Sequence, residues 1–169
     1  MLISFWMTQR LTREINDLER QIMEKHIEME HYQKYAGRLG GTSILGLTNI
    51  AGLSAELMPR ASLFAMYSDQ ASSMYAMQNL AMMKDMGRIP INNDPQMQTQ
   101  IEMSAFAQFK EQALKELKQQ EAAVLNEKEK EIELELSEMN QRLSIKRAEL
   151  QAYEKKAQED AQKWAPKFG

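Results

Sequence analysis

Glu28 and His31 are the residues whose types and spacing point most directly to metal chemistry. A carboxylate three residues before an imidazole shares its helix face, and helical bundles use such pairs, with further inward carboxylates, to hold metal ions. That design needs a second pair. The other histidine, His26, has Met23 three residues before it, so no metal site is expected. With no cysteine in the chain, disulfides and Cys-ligated zinc, haem or iron–sulfur centres are excluded. Gly40-Gly41 and Gly46 lack the Lys-Ser/Thr and strand context of a phosphate loop. No Ser, His and Asp set is spaced for nucleophilic catalysis. The acidic run from Glu127 to Glu138 is interleaved with Lys128 and Lys130, the pattern of a solvated helix face. A net charge of −3 and a pI near 5.5 argue against a nucleic-acid footprint. The expectation is a protein that is not an enzyme, takes no cofactor and binds no nucleic acid.

Methionine is the unusual side chain that remains. Nine of the 14 Met lie between Met58 and Met103. Met66, Met74, Met77, Met82, Met83 and Met86 crowd one stretch with Phe64, Tyr67 and Tyr75. A thioether on an unbranched stem fills irregular gaps in cores and serves adaptable contact surfaces. Asp69 is the only charge from Ala61 to Met83. A helix so weakly polar all round wants cover on several sides, and one intramolecular partner covers one face. These nine residues are therefore expected to form a self-assembly surface.

Charge divides the chain into three parts. Residues 1–38 carry six basic and six acidic side chains, residues 39–109 three and five, and residues 110–165 eleven and thirteen. In the first part Leu11, Ile15, Leu18, Ile22, Lys25, Met29 and Tyr32 follow the 4-3 spacing of a coiled-coil seam, which continues to Leu39. Thr8 or Thr12 is the expected cap and Gly37 with Gly40-Gly41 the expected end. In the last part Ile132, Leu136, Met139, Leu143, Lys146, Leu150 and Tyr153 repeat the spacing. Asp94-Pro95 is an N-cap followed by Pro at the first helical position, and no Gly or Pro follows before Pro166. One helix over 95–165 is expected. Its early seam of Phe106, Phe109, Ala113 and Leu117 falls out of phase with the later one between Lys118 and Lys128, so each half should have its own partner.

The expected fold is all-α, an elongated antiparallel coiled-coil or helical hairpin with one long C-terminal helix. Its parts are a coiled-coil helix over 1–39, an uncharged Met/Ala/Ser-rich middle over 40–94 and the long helix over 95–165. Within the middle, a connector broken by Pro59 leads to a helix over about 60–86 and a turn over 87–94. Layering the two seams pairs Lys25 with Leu143 and Ile22 with Lys146, and brings Glu14 near Lys156, Glu19 near Arg147 and Glu28 near Arg142. Residues 39–55 are uncharged but short for a membrane span. Met1 to Trp6 reads as a locally packed tail or a short anchor, with Met7 as an alternative start. Trp164 and Phe168 read as local packing, with a docking tag as the alternative. Without the charged and apolar pattern of a signal peptide, the chain is expected to be made in the cytoplasm, with leaderless export or incorporation into a particle as its fates.

The layout is similar to that of axial proteins of flagellar and type III secretion systems, where terminal helices enclose a more variable centre, and the composition to helical components of phage particles. No motif ties the chain to either family. The expected function is a non-catalytic structural subunit of a filament, secretion apparatus or virion-type assembly, with copies of itself and other subunits of that assembly as partners. Two alternatives belong to other classes: a membrane-active translocator or pore component using residues 40–86, and a coiled-coil adaptor or chaperone.

Overall fold

The computed structural model describes residues 2–40 and 52–164. The expectations placed on Met1, on most of the 40–58 connector and on Phe168 lie outside these. The fold is all-α. Three helices, α1 (Leu2–Leu39), α2 (Leu57–Asp85) and α3 (Pro95–Trp164), account for nearly all of the described residues, and no strand occurs among them.

The helix ends follow from local chemistry. Asp94 caps α3: its carboxylate accepts the Gln96 amide at 3.0 Å and its carbonyl accepts the Gln98 amide at 2.9 Å. At the end of α2, Gly87 takes a left-handed φ of 66°. Its amide donates to the Lys84 carbonyl and that of Arg88 to Met83, the paired bonds that close a helix on glycine. Two expectations are corrected. Thr8 and Thr12 do not start α1. The helix begins at Leu2, and both hydroxyls donate back to carbonyls of Phe5 and Thr8 at 2.7 and 2.8 Å, a bond open to threonine inside a helix. Pro59 does not interrupt the chain. It lies in the first turn of α2, where its missing N–H would have had no helical partner, while the Leu57 and Met58 amides donate to Ser54.

The described chain divides into two compact units. The first joins α1 up to Glu30 with α3 from Glu129 onward. Leu11, Ile15, Ile132, Leu136 and Leu143 are buried there. Leu18, Ile22, Lys25, Met29, Met139, Lys146, Leu150 and Tyr153 are half-buried. Each seam lysine reaches a carboxylate on the facing helix, Lys25 to Glu135 at 2.8 Å and Lys146 to Glu14 at 3.0 Å. The heptad position beside Glu135 is Leu136 and the one beside Glu14 is Ile15. The register therefore differs by one heptad from the expected pairing of Lys25 with Leu143 and Lys146 with Ile22. Glu14 meets Lys146 rather than Lys156, and Glu28 meets Lys25 rather than Arg142. Arg147 still bonds Glu19 at 2.6 Å, because its long side chain spans the difference. A seven-residue repeat matches itself after a slip of seven, so apolar spacing cannot separate these registers. The carboxylates that meet the two half-buried lysines can.

The second unit, His31–Lys128, joins the end of α1, all of α2 and the first half of α3. Its core is Tyr35, Leu39, Leu53, Leu57, Ala61, Ala65 and Leu125, with Tyr32, Ala36, Met58, Phe64 and Ala122 packed against it. Leu125 falls in the stretch where the sequence shows a phase shift. It is fully buried because α1 and α2 both lie on it.

Candidate functional site

Helix α2 carries two faces of opposite character. The inner one is Leu57, Ala61, Ala65, Ser68, Ser72 and Ala76, all buried. Small side chains there let neighbouring helix axes approach toward the short end of the usual range of about 8–10 Å. The Ser68 and Ser72 hydroxyls donate to the carbonyls of Ala65 and Asp69 at 3.2 and 3.0 Å, so burying them leaves no donor unpaired.

Three ion pairs fasten α2 to α3: Arg60–Glu121 at 2.6 Å, Lys110–Asp69 at 2.8 Å and Lys84–Glu102 at 2.6 Å. The first is the most enclosed. Glu121, with a side chain 13% exposed, accepts two hydrogen bonds from the Arg60 guanidinium and one from the Tyr35 hydroxyl at 3.1 Å. One carboxylate thus ties a residue from each of the three helices. Burial, with the Glu121 charge beside it, pushes the Tyr35 hydroxyl well above the usual tyrosine range, and the bond to Glu121 raises the affinity of Arg60 for its proton. At the far end of α2, Glu102 is held below the usual carboxylate range, first by its bond from Gln98 and then by Lys84. None of the three residues of the Tyr35 network stands out in the sequence. The available signal was that Arg60 is one of only three basic residues in an otherwise neutral stretch.

The outer face of α2 is apolar and exposed. Leu63, Met66, Tyr67, Met74 and Met77 are each more than half exposed, reaching 72% for Met66, and Met86 just past the helix end is as open. Tyr75 and Met82 are exposed by about two-fifths. Of the nine residues expected to form an assembly surface, seven are exposed. Phe64 and Met83 are half-buried, Phe64 against the core. Leu63, absent from the expectation, begins the face. Leu63, Tyr67, Gln70, Met74, Met77 and Ala81 repeat the 4-3-4-3-4 spacing of a seam. The intervening charge, Asp69, is held by Lys110. An open groove of about 750 Å³ adjoins the first turns of this face, lined by Tyr32, Leu57, Arg60, Phe64, Tyr67 and Glu121.

Glu28 and His31 are engaged separately. Glu28 pairs with Lys25 at 2.8 Å, and His31 Nδ1 lies 3.2 Å from the Gly52 carbonyl, as a donor to it. Among the described residues no cluster of three His, Asp or Glu is arranged to hold a metal, and no helix is long and apolar enough to cross a membrane. Near the start of α1, Ile3, Phe5 and Trp6 are exposed, with Arg10 stacked over the Trp6 ring. Comparison with protein families, characterised proteins and solved structures finds no match for the chain.

Proposed function

We propose that this chain is a non-catalytic structural protein that assembles with copies of itself, using the outer face of α2 as its contact surface. Its place is as a subunit of a filament, a secretion apparatus or a virion-type particle. The observation that carries the reading is the set of large apolar side chains left exposed along α2 and just past its end, from Leu63 to Met86. Soluble monomers seldom expose apolar patches larger than a few hundred Å² without using them. The five that share one side of the helix, Leu63, Met66, Tyr67, Met74 and Met77, offer on the order of 500 Å² if each contributes roughly 100 Å², and Tyr75 and Met82 beside them extend it toward the roughly 800 Å² per partner of a standard specific interface.

In this reading α1 and the second half of α3 form an antiparallel coiled coil. Its lysine-containing layers set the register, and its charged flanks stay in water. Methionine suits the contact face because it adapts its shape to a neighbour without a rigid pocket.

Light scattering and negative-stain electron microscopy across a concentration series test the proposal. The expected result is concentration-dependent oligomers or filaments that the double substitution Met74→Lys and Met77→Lys abolishes, with helicity unchanged. A protein that stays monomeric at all concentrations and floats with phosphatidylcholine vesicles would overturn it in favour of a membrane-active role.

A further inference from the structure

The outer face of α2 has a second property, self-complementarity. We propose that it pairs with the same face of a second copy, antiparallel, about a twofold axis at the level of Ser72. This inference rests on the assembly reading above and names its geometry.

The seam residues Leu63, Tyr67, Gln70, Met74, Met77 and Ala81 overlap along their whole length in one antiparallel register. Leu63 then layers with the partner's Ala81, Tyr67 with the partner's Met77, and Gln70 with the partner's Met74. Each of these layers occurs twice, as a closed twofold contact requires. Large side chains meet small or flexible ones: leucine faces alanine, and tyrosine faces methionine. A slip of one heptad in either direction leaves part of the exposed seam without a partner.

Charge fits the same register. One step beyond Leu63, Arg60 comes level with the partner's Lys84. Two cations there would repel, but each is already held by a carboxylate of its own chain, Arg60 by Glu121 at 2.6 Å and Lys84 by Glu102 at 2.6 Å. Opposed helix dipoles add a favourable term that a parallel pair lacks. The groove beside Phe64, Tyr67 and Arg60 lies on the side of the seam where the partner's Met82 arrives. Met82 is exposed in the single chain, and a flexible thioether fills such an irregular recess. Groove at one end and methionine at the other form a contact that is used twice.

The chain has no cysteine, so an introduced one is unique. Two single variants, Leu63→Cys and Ala81→Cys, are treated with a short bismaleimide, separately and as a mixture, after circular dichroism confirms native helicity. The expected result is a covalent dimer in the mixture and none from either variant alone, since like positions in the antiparallel pair lie about 27 Å apart along the axis at 1.5 Å per residue. The pair Tyr67→Cys and Met77→Cys gives an independent reading with the same expectation. Dimers from Leu63→Cys alone establish a parallel pair and overturn the inference. Oligomers in light scattering without cross-links from either mixture overturn the inference and leave the assembly reading standing. A monomer at all concentrations removes both.

Discussion

Removing the Glu121 carboxylate is the most direct probe of how the three helices are held together. Glu121→Ala deletes the acceptor for three hydrogen bonds, two from Arg60 and one from Tyr35. The Arg60 side chain is 36% exposed and its guanidinium turns to water when released, so its loss is discounted to about 1 kcal/mol, below the roughly 1.5–3 kcal/mol of an enclosed charged bond. Tyr35 is fully buried and has no such exit. Leaving its hydroxyl unpaired costs about 1–3 kcal/mol. The expected total is about 3 kcal/mol, a fall in melting temperature of roughly 6–12 °C for a chain of this size. Tyr35→Phe alone removes a donor together with its need and costs about 1 kcal/mol. In the Glu121→Ala background the same change costs nothing or restores stability, because the orphaned hydroxyl is gone. Urea denaturation followed by circular dichroism at constant slope gives the four free energies of this double-mutant cycle. The expected coupling is about 1–2 kcal/mol. Additive effects, or a loss below 1 kcal/mol for Glu121→Ala, would show that Tyr35 does not depend on this carboxylate.

Three further outcomes follow from other contacts. Ala65→Leu overfills the small-residue face of α2 and is expected to lower stability by about 1–3 kcal/mol, read as a drop in the urea midpoint; an unchanged midpoint would refute close packing there. Lys25→Leu with Lys146→Leu replaces the two charged seam layers, raising thermal stability while removing the ion pairs that distinguish registers one heptad apart. Cross-linking between α1 and α3 should then report more than one register, and a single unchanged register would sink that role. Glu14, through its bond from Lys146 first and Arg10 second, and Glu102 both titrate below their ordinary value near 4.5. Their folded forms favour the charged state, so the stability they contribute is present above that value and lost as pH falls through the lowered ones. Acid melting curves should lose less stability below about pH 4.5 in Glu14→Gln and Glu102→Gln than in the parent chain, and parallel curves would contradict the assignment.

Composition and spacing alone determined that the chain is helical. Helix-forming residues, the Asp94-Pro95 start and the long run without Gly or Pro locate α3, and glycine locates its turn with α2, because these depend on backbone chemistry within a few residues. The exposed methionine face was legible for a related reason: a helix with one charge in 23 residues has more apolar side than one neighbour covers. What stayed hidden was everything set by a second surface. Pro59 looked like a break because only the helix start beside Ser54 shows that its amide was not needed. Leu125 and the Glu121 network lie where heptad spacing fails, since two helices pack there at once and no single period serves both. The heptads named the seam positions of α1 and α3, but a repeat of seven is blind to a slip of seven. Only the tertiary contacts decided that Lys25 faces Glu135 and Lys146 faces Glu14, because register depends on which charged groups meet across the seam and apolar spacing carries no record of that.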